Sequence, residues 1–197
     1  MKATSRLIVG ISGASGVQYG IRLLESLRPL PVETHLVISR SAEVTLAWES
    51  GLKVAEVRKL ADVAYQPQDI GAAISSGSFL TLGMIVIPCS VRTLSEIATG
   101  VTSSLLTRAA DVVLKERRKL VLMVRESPLH LGHLRSMAAV TEMGAIVAPP
   151  VPAFYARPQS LDEMIDHTVG RMLDLFGIDT GHVKRWGERE GPQEVEG

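Results

Sequence analysis

A single cysteine, Cys89, stands in 197 residues, so no disulfide can form within the chain, which suits a reducing cytosol. Net charge is also missing: 21 Lys and Arg balance 21 Asp and Glu. The basic residues are dispersed and the last stretch, Gly187 to Gly197, is rich in Glu, so nothing resembles a basic footprint for nucleic acid. No apolar run approaches the ~20 residues of a membrane span. The N-terminus enters a strand-like run almost at once, without a signal-peptide pattern. Several catalytic signatures are missing as well: no G-x-S-x-G elbow, no H-E-x-x-H, no Gly-Lys-Ser/Thr and no adjacent Asp pair. Together these absences predict a soluble cytoplasmic protein of one domain, long enough for a substantial core.

What is present begins with three glycines at Gly10, Gly13 and Gly16, in the run Leu7-Ile8-Val9-Gly10-Ile11-Ser12-Gly13-Ala14-Ser15-Gly16. A short Ile/Val-rich run reads as a buried strand, and the amphipathic stretch from Tyr19 to Leu27 reads as a helix. A strand feeding a small-residue loop at a helix N-terminus is a phosphate cradle, because backbone N–H groups and the positive dipole end converge there. The alternative is a tight turn without a ligand. The spacing is not the G-x-G-x-x-G of dinucleotide folds. The next strand, Glu33 to Ile38, ends at Ser39-Arg40, where an NAD site normally presents Asp or Glu about 20 residues after the loop. A hydroxyl there points to FMN rather than NAD, although a Ser in that position also caps helices.

Strand-like runs recur at Leu7–Ile11, Thr34–Ile38, Met84–Ile87, Leu120–Val124 and Ala145–Ala148. Helix-like stretches fall at Val17–Arg28, Ser41–Trp48, Leu94–Ile97 with Ser103–Leu114, and Leu129–Glu142, with a last one from Leu161 to Phe176. This alternation predicts an α/β, Rossmann-like open parallel sheet with helices on both faces. Lys53–Leu82 holds one short helix around Val57–Ala61 and a Ser-Ser-Gly-Ser turn at Ser75–Ser78. Pro149-Pro150-Val151-Pro152 is a stiff turn. A single domain is expected over residues 1–186, with a disordered tail over 187–197.

Ligands of such sheets bind beyond the carboxyl ends of the strands. Those ends carry Gly13-Ala14-Ser15, Ser39, Cys89-Ser90, Arg125-Glu126 and, after the last strand, Tyr155. Pro88-Cys89-Ser90-Val91-Arg92-Thr93 is a second strand-to-helix junction, readable alone as a helix cap. Other candidates point elsewhere. His130 and His133 have metal-ligand spacing but no third ligand, and read as the polar first turn of a helix. Cys89 reads as a small buried filler, and Lys115-Glu116-Arg117-Arg118-Lys119 as a solvated helix end.

Gly10 to Gly16 with Tyr19-Gly20, Ile87-Pro88-Cys89-Ser90, Arg108 to Arg117 and Pro152-Ala153-Phe154-Tyr155 together resemble the UbiX/Pad family of flavin prenyltransferases, from about Leu7 to Trp186. The resemblance implies FMN binding, a homododecamer, and transfer of the dimethylallyl group of dimethylallyl monophosphate to N5 and C6 of reduced FMN. The prenylated FMN then serves UbiD-type decarboxylases, and older naming calls the family decarboxylases. By position it implies FMN against Gly13, Ala14, Ser15, Ser39, Ser90, Val91, Arg92, Thr93 and Arg125. The prenyl phosphate meets Tyr155 and Arg171 with Lys115 and Glu126 nearby, Ser15 and Glu49 match polar active-site positions, and Trp186 matches a C-terminal tryptophan. The chain is shorter than some members before its Ser-Gly-Ser turn, in the wall of the prenyl pocket. No metal is expected, since Arg, Lys and Tyr can clamp a monophosphate without Asp-held Mg²⁺. Three alternatives are an FMN-dependent decarboxylase, whose Pro-x-Met-Asn-x-x-Met-Trp motif is absent here, a non-catalytic FMN-carrying accessory subunit, which would not need Lys115, Glu126, Tyr155 and Arg171 together, and an α/β interaction module, which leaves the charged strand ends unexplained.

Overall fold

The computed structural model describes residues 5–187, so the expected disordered tail lies outside the described residues apart from Gly187. The chain divides into two compact units, residues 1–150 and 151–197. The first contains six parallel strands: β1 (Ser5–Ile11), β2 (Val32–Ile38), β3 (Val63–Tyr65), β4 (Gly83–Cys89), β5 (Lys119–Val124) and β6 (Ile146–Val147). Their order is β3-β2-β1-β4-β5-β6, so the chain direction across the sheet reverses between β1 and β4. Such a switch point splays the loops after two neighbouring strands and opens a crevice at their carboxyl ends.

Every residue from Leu7 to Ile11 and from Gly83 to Cys89 is buried, as a parallel sheet covered on both faces requires. Between the strands lie α1 (Val17–Leu27), α2 (Arg40–Glu49), α3 (Val54–Arg58), α4 (Val91–Ala98), α5 (Leu105–Lys115) and α6 (Leu131–Glu142). The α1 helix turns Val17, Ile21 and Leu24 inward at helical spacing, each buried side chain contributing about 1.5–3 kcal/mol. On one face of the sheet, Ile8, Met84, Val86 and Leu122 join Leu106 and Ala110 of α5 in a single cluster. Gly10 belongs to that packing: a Cβ there would lie 3.0 Å from Met84 Cε and 3.3 Å from Leu106. Cys89 is fully buried, and burial pushes its thiol well above the ordinary range, so it is the filler expected and not a nucleophile.

The expected elements are present with small shifts. The exception is the interval before β4, where the edge strand β3 was not foreseen and α3 begins earlier than the expected Val57–Ala61. No described helix is long and apolar enough to cross a membrane.

The second unit is a 3₁₀ turn at Phe154–Ala156 followed by α7 (Leu161–Asp174) and a returning segment. Ser160 caps α7 by accepting the Glu163 amide at 3.1 Å, and Asp162 and Glu163 in the first turn complement the helix dipole. The returning segment presses on α7 at Gly170, where a Cβ would stand 2.5 Å from Val183.

Candidate active site

Three strand-to-helix junctions line the switch-point crevice. After β1, Ser12 is fully buried, and its hydroxyl donates to the Pro88 carbonyl at 3.0 Å while accepting the Ser90 amide at 2.7 Å. Ser12 thus ties the first junction to the third. The sequence offered it only as a loop residue. After β2, the Ser39 amide donates to the Ile11 carbonyl at 2.9 Å, and the Ser39 hydroxyl caps α2 at the Ala42 amide (3.2 Å) and meets the Ser41 hydroxyl at 3.1 Å. After β4, the Ser90 hydroxyl caps α4 at the Thr93 amide and donates to the Thr93 hydroxyl, both at 3.2 Å.

The glycine loop divides its labour. Gly13 lies so close to the start of α2 that a Cβ would fall 2.4 Å from both Cβ and Oγ of Ser41. Gly16 has φ 101°, a left-handed conformation that glycine adopts without steric cost, and it precedes α1. The phosphate cradle expected at this helix start is already filled. Glu49, at the far end of α2, accepts the amides of Gly16 (2.8 Å) and Val17 (3.2 Å) through Oε2. An anion sits at the α1 N-terminus as electrostatics requires, but the chain supplies it. The N-termini of α2 and α4, whose first amides have no intrahelical partners, stand at the carboxyl ends of β2 and β4 with hydroxyls beside them. A hydroxyl- and amide-lined crevice with a glycine pressed against its wall fits the phosphate and polyol chain of FMN.

Arg125 and Glu126 follow β5, both exposed, with the Arg125 amide bonded to the Cys89 carbonyl at 3.1 Å and Glu126 Oε1 accepting the Ser127 amide at 2.9 Å. Tyr19, part of the motif but without an assigned role, lies in the field of Arg125. Burial raises its phenol pKa and the arginine partly offsets that. Ala14 is half-buried and Ser15 exposed at the loop tip. Val91 and Arg92 form the first turn of α4.

Lys115 lies elsewhere. It ends α5 just before β5 begins, at the amino edge of the sheet, paired with Glu116 and close to Gly77 of the Ser-Gly-Ser turn. Glu126 stands past the opposite end of β5, roughly 20 Å away along a strand of that length. Within one copy of the chain these two residues do not meet, contrary to the expected placement of Lys115 near Glu126. The side of α5 that carries Lys115 borders a cavity of about 430 Å³ lined by Glu96, Thr107, Asp111, Lys115 and Glu142, away from the switch-point crevice. His130 caps α6 through Nδ1 at the Gly132 amide (3.0 Å), and its ring lies tilted by 31° over His133 at 3.6 Å between centroids. Among the described residues no three His, Cys, Asp or Glu side chains gather as a metal site.

The second unit draws together the remaining residues. The Trp186 ring meets the Tyr155 ring edge-on at 5.4 Å, and the Tyr155 hydroxyl lies 3.5 Å from Nε2 of the buried His167. His167 Nε2 also donates to the Lys184 carbonyl at 3.2 Å, and Lys184 Nζ donates to the Ala156 carbonyl at 3.0 Å. Arg171 stands one turn after His167 on α7 and pairs with Asp174 at 2.6 Å.

A parallel α/β sheet with its crevice at the switch point defines the doubly wound class that binds nucleotides and flavins, and the Flavoprotein family model matches residues 1–175. The chain belongs to the UbiX family of flavin prenyltransferases. It is 62% identical over 174 residues to flavin prenyltransferase UbiX of Escherichia coli (strain K12), covering 88% of this chain and 92% of that one. Among solved structures, AnUbiX (PadA1) in complex with FMN and dimethylallyl pyrophosphate superposes with TM-score 0.92 at 50% identity, over 94% of this chain and 99% of that one. The dodecameric FMN-dependent UbiX-like decarboxylase from Escherichia coli O157:H7 gives 0.90 at 50% identity, over 92% and 98%.

Proposed function

We propose that the protein transfers the dimethylallyl group of dimethylallyl monophosphate to N5 and C6 of reduced FMN, releasing phosphate and giving prenylated FMN. The reduced flavin supplies an electron-rich acceptor over which a cationic allyl group is favoured. Ser39, Ser90, Thr93 and the first-turn amides of α2 and α4, including those of Val91 and Arg92, hold the FMN phosphate, Gly13, Ala14 and Ser15 lie along the flavin, and Arg125 adds a fixed positive charge. Arg171, the Tyr155 hydroxyl and Lys115 donate to the prenyl phosphate, stabilising charge that builds on it as the C–O bond breaks. Glu126 exchanges a proton with that phosphate, and Trp186 walls the pocket. Ser15 and Glu49 carry away the proton lost from C6. Two amides fix Oε2 of Glu49, which leaves Oε1 in a set direction for that task. Residues 1–186 act as one functional domain.

Lys115, at the amino edge of its own sheet, serves the site of another copy. This fits an assembly such as the dodecamer formed by the Escherichia coli O157:H7 relative. The product passes to a UbiD-type decarboxylase in the cytoplasm. One observation carries the reading: Tyr155, Arg171 and Trp186 cluster in one unit, which a flavin carrier would not need. The test incubates purified protein with FMN, reductant and dimethylallyl monophosphate and weighs the flavin. A mass increased by one dimethylallyl unit is expected. An unchanged flavin with carbon dioxide released from an aromatic acid would instead make the protein a decarboxylase. Mixed assemblies of Lys115→Ala and Arg171→Ala chains, each strongly impaired alone, should regain activity.

A further inference from the structure

Asp174, in the last turn of α7, is a hub. Its Oδ2 accepts from Arg171 Nη1 at 2.6 Å and from Arg185 Nη1 at 2.8 Å, while its Oδ1 accepts from Arg185 Nη2 at 2.9 Å. The carboxylate is 14% exposed, whereas Arg171 is 50% exposed. A pair between exposed charges one turn apart holds neither side chain in place. Here the second arginine changes that. The two parallel bonds from Arg185 fix the plane of the carboxylate, so the direction in which Oδ2 meets Arg171 is set independently of Arg171. Arg171 gives a single N–H to this bond and keeps the rest of its planar fork for another acceptor. Arg185 precedes Trp186, whose ring rests on Tyr155, so the same carboxylate ties the arginine of the clamp to its aromatic residues.

We propose that Asp174 is a positioning residue for the prenyl-transfer reaction, holding the Arg171 guanidinium, against the anchor provided by Arg185, in the orientation that receives the prenyl phosphate. The inference rests on the reading that Arg171 binds this phosphate. Both arginines keep the Asp174 carboxyl below the usual carboxylate range, Arg185 more than Arg171, so it stays ionised at neutral pH. Its charge alone would repel a phosphate. Charge and position therefore predict opposite outcomes for the isosteric change Asp174→Asn.

The test is steady-state kinetics of the FMN-loaded protein with dimethylallyl monophosphate. Asp174→Asn should lower kcat/KM on the order of 10²-fold, with KM for the prenyl substrate raised and FMN affinity unchanged. In an Arg171→Ala background the same change should have no further effect, and Asp174→Glu, which keeps the charge, should recover part of the loss. An unchanged or lowered KM in Asp174→Asn would overturn the proposal, as would losses that multiply with those of Arg171→Ala. Wild-type turnover in Arg171→Ala would instead remove Arg171 from the site, a separate failure. If Asp174→Asn does not assemble, Arg185→Lys poses the same question, because a point charge cannot fix the carboxylate plane. A loss seen only where Arg171 is intact, and absent in the Arg171→Ala variant, is then expected, and full activity would refute the idea.

Discussion

Gly13→Ala tests the crevice most directly, because the structure fixes what the added methyl meets. Its Cβ would stand 2.4 Å from Cβ and Oγ of Ser41 and 3.0 Å from the Ser41 carbonyl carbon. Carbon atoms in contact normally lie about 3.5–4.0 Å apart, so the loop and the start of α2 must separate by roughly 1 Å. The Ser41 hydroxyl can rotate away, but its Cβ is carried by the helix backbone. Gly13 is not among the positive-φ residues, so the penalty is steric and not conformational. Overpacking of this kind costs about 1–3 kcal/mol, which a fold of this size tolerates. The functional cost is larger, since Ser39 and Ser41 share a hydrogen bond and move with the first turn of α2. A displacement near 1 Å of groups that hold a ligand costs on the order of 10²-fold. Calorimetric titration of apo protein with FMN should show that loss. Ser41→Gly removes both atoms at 2.4 Å, so Gly13→Ala/Ser41→Gly should recover most of the affinity. Wild-type affinity in Gly13→Ala would refute the argument, as would failure of the double variant when Ser41→Gly alone binds normally.

Other outcomes follow from single contacts. Glu49→Ala removes the acceptor of two amides at a helix N-terminus, worth about 1–2 kcal/mol locally, so hydrogen exchange at Gly16 and Val17 should quicken by roughly tenfold or more; equal exchange would deny the cap. His35 is buried, with Nδ1 2.9 Å from the Tyr65 hydroxyl and Nε2 2.9 Å from Glu33, and burial lowers its pKa despite the carboxylate. The folded protein therefore binds fewer protons at this ring than the unfolded chain, and stability is lost as pH falls below about 6.5 toward the folded pKa. Urea midpoints across that range should fall less steeply in His35→Gln, and parallel curves would contradict the assignment. On the proposed reading turnover should survive excess EDTA, because Arg171, Lys115 and Tyr155 would do the work that Asp-held Mg²⁺ does elsewhere. Loss of activity with rescue by Mg²⁺ would return attention to His130 and His133.

The strands were legible because parallel strands buried on both faces read as unbroken apolar runs, as Leu7 to Ile11 does. β3 was not, because Val63–Tyr65 is a three-residue edge strand with its central residue exposed. The α3 helix begins early because Glu56 reaches back to the Lys53 amide at 2.6 Å, and with Lys rather than Ser or Thr at the N-cap the sequence carries only half of a capping box. Contacts across the fold explain the rest. Nothing near Glu49 in sequence indicates that its partners are the Gly16 and Val17 amides, and Ser12 reaches Ser90 only because β1 and β4 are neighbours. The position of Lys115 could have been inferred. A helix that ends four residues before a strand ends at the amino edge of that strand, opposite the crevice.

The glycine spacing that first suggested a phosphate site is explained by three unrelated constraints. Gly10 admits α5 against the sheet, Gly13 admits the start of α2, and Gly16 supplies a left-handed turn into α1. None of these requires a phosphate, and the helix terminus they lead to is occupied by Glu49. A phosphate at the same amides would face a carboxylate within contact distance and lose the donors that make helix N-termini attractive to anions. On the proposed reading the FMN phosphate goes to α2 and α4 instead, whose capping hydroxyls on Ser39 and Ser90 are joined through Ser12 and the end of β1. Glu49 Oε2 is held by two amides, so the proposed proton transfer falls to Oε1. The motif thus fills the most obvious anion-binding position with the protein's own side chain, and the proposed flavin site lies at the neighbouring helix starts.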